Sequence, residues 1–315
     1  MAELKPFRAL RPPPTLVERV ASPPYDVVST AQARSLAAGN ADSFLHVSRP
    51  EIDLPEGTDE HADEVYAVGK SNLEALVSRG VLLRDEEPCL YVYAQRLGEH
   101  RQTGVVACAS VAEYVDDRIK KHEKTRADKE NDRTRHIDEL GAHDEPVFLS
   151  YRAVDAIDQA VEQGMAAAAP VYDFESHDGV HHRLWVLDEA RSSPLVALFR
   201  ERVPCLYVAD GHHRSAAAAR VHEQRGTSTG DHAWFMAVVF PHDQMNILAY
   251  NRVLKDRDGR GAEAILRQLR ARMDVVRSDR PAPEVPGSFG VYLDGRWYRA
   301  TALPGSYDAD DPVAR

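Results

Sequence analysis

Asp210-Gly211-His212-His213-Arg214 sets a carboxylate, a glycine, two imidazoles and a guanidinium in five consecutive positions. The apolar run Cys205-Leu206-Tyr207-Val208-Ala209 precedes it and an alanine-rich run follows, a pattern that predicts a buried strand, a tight turn and a helix starting near His212. A helix start carries unpaired N–H groups at the positive end of its dipole, and His212, His213 and Arg214 would add donors there. Gly211 allows the close backbone approach that a phosphate needs. The chemistry expected is phosphate or nucleotide binding; the plainer alternative is a strand-to-helix turn capped by Asp210.

Two further stretches could complete such a site. Residues 118–135 hold eight Arg and Lys, among them Lys124, Arg126 and Arg133, against four acids. Were 123–136 helical, His122, Arg126, Glu130 and Arg133 would share one face, combining a base, two phosphate-binding guanidiniums and a carboxylate. The alternative is a solvated face of ion pairs. With almost no apolar residue after Ile119, this stretch is expected not to be a core helix. Near the N-terminus, Ser22-Pro23-Pro24-Tyr25-Asp26 is a stiff extended arm, in which Asp26 either caps the next helix or serves as a functional carboxylate.

A metal centre is not expected. Cys89, Cys108 and Cys205 form no paired spacing, and a dense Arg/Lys segment repels a divalent cation unless a phosphate accompanies it. His181 and His182 are neighbours on a strand, so they point to opposite faces and cannot ligate jointly.

The elements that must position these groups follow from periodicity and turn residues. Helices are expected at 30–38, 61–80, 153–169 and 262–273. Strands are expected at 44–47, 89–94, 103–111, 147–151, 171–174, 184–187 and 234–240, with 97–100 as a hairpin turn. Residues 247–250 are expected to partner strand 234–240 and to lead Asn251 and Arg252 into the same pocket. A final hairpin at 289–293 and 297–300 turns at Asp294-Gly295. The expected class is α/β (α+β), with mixed sheets and flanking helices. Its expected parts are an N-terminal arm and helical region (1–88), a mixed core (89–255) and a C-terminal helix and hairpin (256–315).

At 315 residues and 43% hydrophobic content the chain can bury a sizeable core, and it has no apolar run of the roughly 20 residues that span a bilayer. Its start lacks an apolar signal core, and an odd number of unpaired cysteines fits a reducing compartment, so a cytoplasmic protein is expected. A net charge of −11 argues against a nucleic-acid partner.

Ser22-Pro23-Pro24-Tyr25-Asp26-Val27-Val28, His122-Glu123-Lys124-Thr125 with Asp132-Arg133, and Ala209-Asp210-Gly211-His212-His213-Arg214, taken together and in order, resemble the bacterial and archaeal domain-of-unknown-function family ten-fifteen. Members of that family usually run on beyond the length of this chain, so the resemblance implies either an incomplete C-terminal region or an unusually short member. The family's Gly-x-His-Arg box is similar to the phosphate-binding box of the ParB/sulfiredoxin superfamily, which includes free-serine kinases. The resemblance implies a ParB/sulfiredoxin-like core around 205–221, with Gly211, His213 and Arg214 on nucleotide phosphates and Asp210 ahead of them. Sulfinate repair would need a cysteine where His212 stands, and no helix-turn-helix for DNA is evident. The expected activity is a nucleotide-dependent phosphotransferase on a small hydroxy metabolite such as free serine. It would use Mg²⁺ with ATP, ADP or another nucleotide; Asp26 or Glu123 would be the base, with His122 beside them, and Lys124, Arg126 and Arg133 would close as a lid. The alternatives are a phosphohydrolase on a metabolite such as phosphoserine and a regulatory nucleotide- or metabolite-binding protein. The oligomeric state stays open, a homodimer included.

Overall fold

The computed structural model describes residues 1–226, 229–248, 251–283 and 287–306. The chain divides into two compact units, Met1–Asn246 and Ile247–Arg315.

The first unit runs β1 (Leu4–Lys5), β2 (Leu10–Arg11), α1 (Val17–Val20), α2 (Thr30–Ala37), α3 (Leu45–Ser48), α4 (Asp63–Ser78), β3 (Leu83–Arg84), β4 (Leu90–Leu97) and β5 (His100–Ser110). It continues through α5 (Val111–Val115), β6 (Ile119–Lys120), α6 (Ala127–Leu140), β7 (Val147–Tyr151), α7 (Asp155–Ala166), β8 (Tyr172–Glu175), β9 (His181–Leu187), α8 (Glu189–Arg202), β10 (Leu206–Asp210), α9 (His212–Arg225) and β11 (Trp234–Pro241). Among the described residues a mixed nine-stranded sheet has the order β6-β10-β7-β11-β5-β4-β9-β8, with β1 added on β5. The class is mixed α/β with flanking helices. Burial of Leu149, Tyr151, Leu206, Val208, Phe235, Ala237 and Val239 makes the central strands the core, as their β-branched and aromatic content requires.

Strand direction decides which ends meet. β10 runs parallel to β6 and antiparallel to β7, while β11 runs parallel to β7. One end of the sheet therefore gathers the ends of β6 and β10 and the beginnings of β7 and β11. β5 lies antiparallel to β11, with Trp234 opposite Ser110, so the β4–β5 turn sits at the other end.

Several expectations are corrected. Residues 44–47 are not a strand: Leu45–Ser48 is a helical turn with Phe44 at its N-cap, and the Ser43 hydroxyl just before it accepts the Leu45 N–H at 3.4 Å. A four-residue apolar run carries too little periodicity to separate the two. The polar segment does supply a packed helix. α6 buries Asp132, Arg133, Thr134, His136 and Ile137, because its polar side chains pair with one another and with neighbours inside the protein, which satisfies them without apolar burial. α6 begins at Ala127, so His122 and Arg126 precede it and the expected shared face does not form. β11 pairs with β5 and β7; Ile247 and Leu248 lie outside any strand, and Ala249 and Tyr250 fall outside the described residues. Asp26 does not cap α2: Ser29 does, in a capping box with Gln32.

The second unit contains α10 (Ala262–Arg270) and a three-stranded sheet of β12 (Met273–Arg277), β13 (Ser288–Leu293) and β14 (Arg296–Ala302), in the order β12-β14-β13. The hairpin at Asp294-Gly295 forms as expected, whereas the expected helix 262–273 stops short and Met273 opens β12. Asn251 and Arg252 belong to this unit. Among the described residues, no helix is long and apolar enough to cross a membrane.

Candidate functional site

The strand-turn-helix forms at 206–225 with Gly211 as its pivot. Gly211 holds φ +90° at the start of α9, a left-handed conformation that disfavours any side chain. A Cβ there would also lie 3.0 Å from Arg214 Nε. Gly211 and His212 are buried, yet no side chain caps the helix. A buried helix start with uncapped N–H groups needs a partner from elsewhere.

Asp210 is not that cap. Its carboxylate accepts from the Arg214 guanidinium, which also donates to the Pro146 carbonyl and lies 3.7 Å from Glu145 Oε2. Arg214 thus ties the turn to the segment entering β7. The antiparallel β10/β7 register, with Asp210 opposite Phe148 after a bulge, brings these ends together.

On the other side of the turn, β6 delivers the following residues beside α9, because Leu206 stands opposite Ile119 in parallel register. The His122 ring meets His212 edge to face at 4.4 Å, and Glu123 Oε2 lies 3.6 Å from His212 Nδ1. Burial, then the neighbouring His122, lowers the His212 pKa below its usual value, so the imidazole is neutral at pH 7. Its Nε2 is buried without a hydrogen-bond partner. His213 Nε2 accepts the Arg126 N–H at 3.1 Å.

Behind the turn lies a buried acid–base cluster. Glu145 is 11% exposed; its Oε1 accepts the Tyr25 N–H at 2.7 Å, while Oε2 is buried without a hydrogen-bond partner. Burial, reinforced by the Asp144 charge, pushes the Glu145 carboxyl up to about 7, against the pull of Arg214. Exposed Asp26 is close enough to add to that rise. Burial works against ionised Asp144 as well, but His136 at 3.0 Å and Arg133 outweigh it and hold this carboxyl well below the usual range. Two adjacent carboxyls with pKa values driven apart are an arrangement suited to proton transfer. Tyr25 lies with its ring 4.0 Å from the Arg133 guanidinium, and burial pushes its phenol up to about 12. Arg133 in turn pairs with Asp132 at 2.8 Å, which accepts the Tyr66 hydroxyl at 2.7 Å.

Of the residues singled out from sequence, Asp210, Gly211, His212, His213 and Arg214 converge with His122 and Glu123, and the Tyr25-Asp26 arm docks behind them on Glu145. Arg126 reaches the site through its backbone alone; its side chain is exposed and pairs with Asp128 at 2.6 Å. Lys124 is exposed, and Arg133 packs inside beneath Tyr25. Glu130 leaves the site to accept from Thr125 at 2.8 Å and pair with Arg220 at 3.2 Å. Sequence reasoning missed Asp144, Glu145 and His136. A signal was there: His143-Asp144-Glu145-Pro146 sets two acids and a proline directly before an apolar strand. Among the described residues, no group of three or more His, Cys, Asp or Glu could hold a metal ion.

No curated protein and no solved structure matches the chain. The model of a family described as "Protein of unknown function (DUF1015)" matches residues 4–315. The expected resemblance to family ten-fifteen is therefore membership: this chain, over nearly its whole length, belongs to the DUF1015 family.

Proposed function

We propose that the β10–α9 turn binds phosphate and that the protein is a nucleotide-dependent phosphotransferase acting on a small hydroxy metabolite. The observation that carries the reading is the buried, uncapped start of α9, where His212 Nε2 has no partner. With the neutral imidazole's single proton on Nε2, this nitrogen joins the first-turn amides as a donor; such a set suits an anion, and an anion would complete it. The similarity of Gly211, His213 and Arg214 to the ParB/sulfiredoxin phosphate-binding box points the same way.

In this reading the first-turn amides, His212 and His213 contact the phosphate, since Arg214 is engaged with Asp210, Pro146 and Glu145 and serves to hold the turn. Glu145 joins Asp26 and Glu123 as a candidate proton acceptor for the substrate hydroxyl, because a carboxyl titrating near 7 is matched to general-base work. Mg²⁺ arriving with the nucleotide would neutralise phosphate charge. Asp210 and Glu123 are the carboxylates the turn offers to it. A phosphohydrolase would use the same anion grip with water as acceptor.

Calorimetric titration of the full chain with ATP, ADP, inorganic phosphate and phosphoserine, followed by product analysis with hydroxy-amino acids, tests the proposal. His212→Ala is expected to lose most anion affinity, and Glu145→Gln to bind normally and lose turnover. Tight nucleotide binding with no phosphorylated or dephosphorylated product would overturn catalysis in favour of a sensing role. No binding by any of the four would overturn the anion site itself.

A further inference from the structure

The far end of the large sheet holds a second cluster that the β10–α9 turn does not involve. On the face that carries Trp185 and Leu187, successive cross-strand rows change in character. Val105, Val92 and Trp185 form a buried apolar row. Next comes Thr103, Ala94 and Arg183, and then Arg101, Arg96 and His181 at the end. Trp185 and the two outer rows, with Met165 of α7, line a cavity of about 220 Å³.

Charge in the last row is unbalanced. Arg96 stands directly opposite Arg101 on one side and His181 on the other, and like charges in direct cross-strand register destabilise a sheet. On β8, Asp173 pairs with His181 at 2.7 Å and Arg183 at 3.1 Å, and Glu175 stands opposite His181. Among the described residues, Arg96 and Arg101 have no ion pair. A chain with eleven excess negative charges thus keeps two juxtaposed guanidiniums on the rim of a concavity whose inner wall is Trp185 and Met165. Guanidiniums suit bidentate grip of a phosphate, and an apolar floor suits a ring.

We propose that this cavity binds an organic phosphate carrying an aromatic group, with Arg96 and Arg101 on the phosphate and the ring towards Trp185 and Met165. This second site is independent of the β10–α9 turn and lies at the opposite end of the sheet.

The test is calorimetric titration of the full chain with 1-naphthyl phosphate, 1-naphthol and inorganic phosphate, in wild type, R96Q/R101Q and H212A. Naphthyl phosphate is expected to bind wild type more tightly than either fragment, and R96Q/R101Q to weaken it about tenfold or more, as loss of two charge-assisted contacts implies. H212A is expected to keep this binding unchanged. Both arginines are exposed strand residues, so the double variant is expected to keep wild-type far-ultraviolet circular dichroism, with a Tm at or above that of wild type because the like-charge pair is removed; the single variants R96Q and R101Q replace it if it does not fold. Absence of naphthyl phosphate binding to wild type would overturn the proposal. So would affinity that survives R96Q/R101Q, or that is lost in H212A while the arginine variant keeps it.

Discussion

Gly211→Ala probes the pivot of the candidate site. An alanine at φ +90° carries the strain of a left-handed L-residue, about 1–2 kcal/mol. Its Cβ would also press on Arg214, with Nε at 3.0 Å and Cζ at 3.2 Å. That guanidinium is 12% exposed and held by Asp210, Pro146 and Glu145, so moving it weakens a charge-assisted contact at roughly another 1–2 kcal/mol. The expected loss is therefore about 2–4 kcal/mol, read by urea denaturation. Gly39→Ala is the control: it shares a positive φ of +73° but its Cβ meets nothing within 4 Å, so it is expected to show the strain alone. A G211A stability equal to or above that of G39A would refute the claim that Arg214 is locked beneath the turn.

Other expectations follow from the buried cluster. A carboxyl whose pKa is raised on folding binds more protons in the folded state, so Glu145 lowers stability as pH rises from the ordinary Glu value, about 4.3, to about 7. E145Q is expected to remove up to about 3 kcal/mol of that decline, measured as the difference in unfolding free energy between pH 4.5 and 8; parallel pH curves for the two proteins would contradict it. Asp144 acts with the opposite sign. Its depressed pKa contributes stability above the unfolded value that is lost as pH falls, so D144N is expected to flatten the acid limb of the same curve. Arg133→Ala strips buried Asp132 of its guanidinium partner, leaving it the Tyr66 hydroxyl and His61, and is expected to cost about 3 kcal/mol in denaturant unfolding. Arg126→Ala, at an exposed pair, is expected to leave the denaturant midpoint unchanged.

Local pattern alone determined much of this protein. The apolar run before Asp210, the permissive Gly211 and the alanine-rich run after it specify strand, turn and helix without reference to anything distant, and strands 147–151 and 234–240 follow from apolar runs too strong to lie outside a core. The donors His212, His213 and Arg214 were legible for the same reason, since a helix start concentrates them whatever packs nearby. Tertiary structure alone decided how those donors are spent. Arg214 turns back to Asp210, Pro146 and Glu145 because β7 runs antiparallel to β10, and His122 reaches His212 because β6 runs parallel to it; strand order is a long-range property that neither segment encodes by itself. The polar stretch at 118–135 misled for a related reason. Hydrophobic periodicity measures burial only when apolar groups drive it, and α6 is buried through hydrogen bonds and ion pairs whose partners, Tyr66 and Asp144, lie elsewhere in the chain. Glu145 is the sharpest case: an ordinary glutamate in sequence, it acquires a near-neutral pKa only once folding buries it beside Asp144, against the pull of Arg214 and of the Tyr25 N–H.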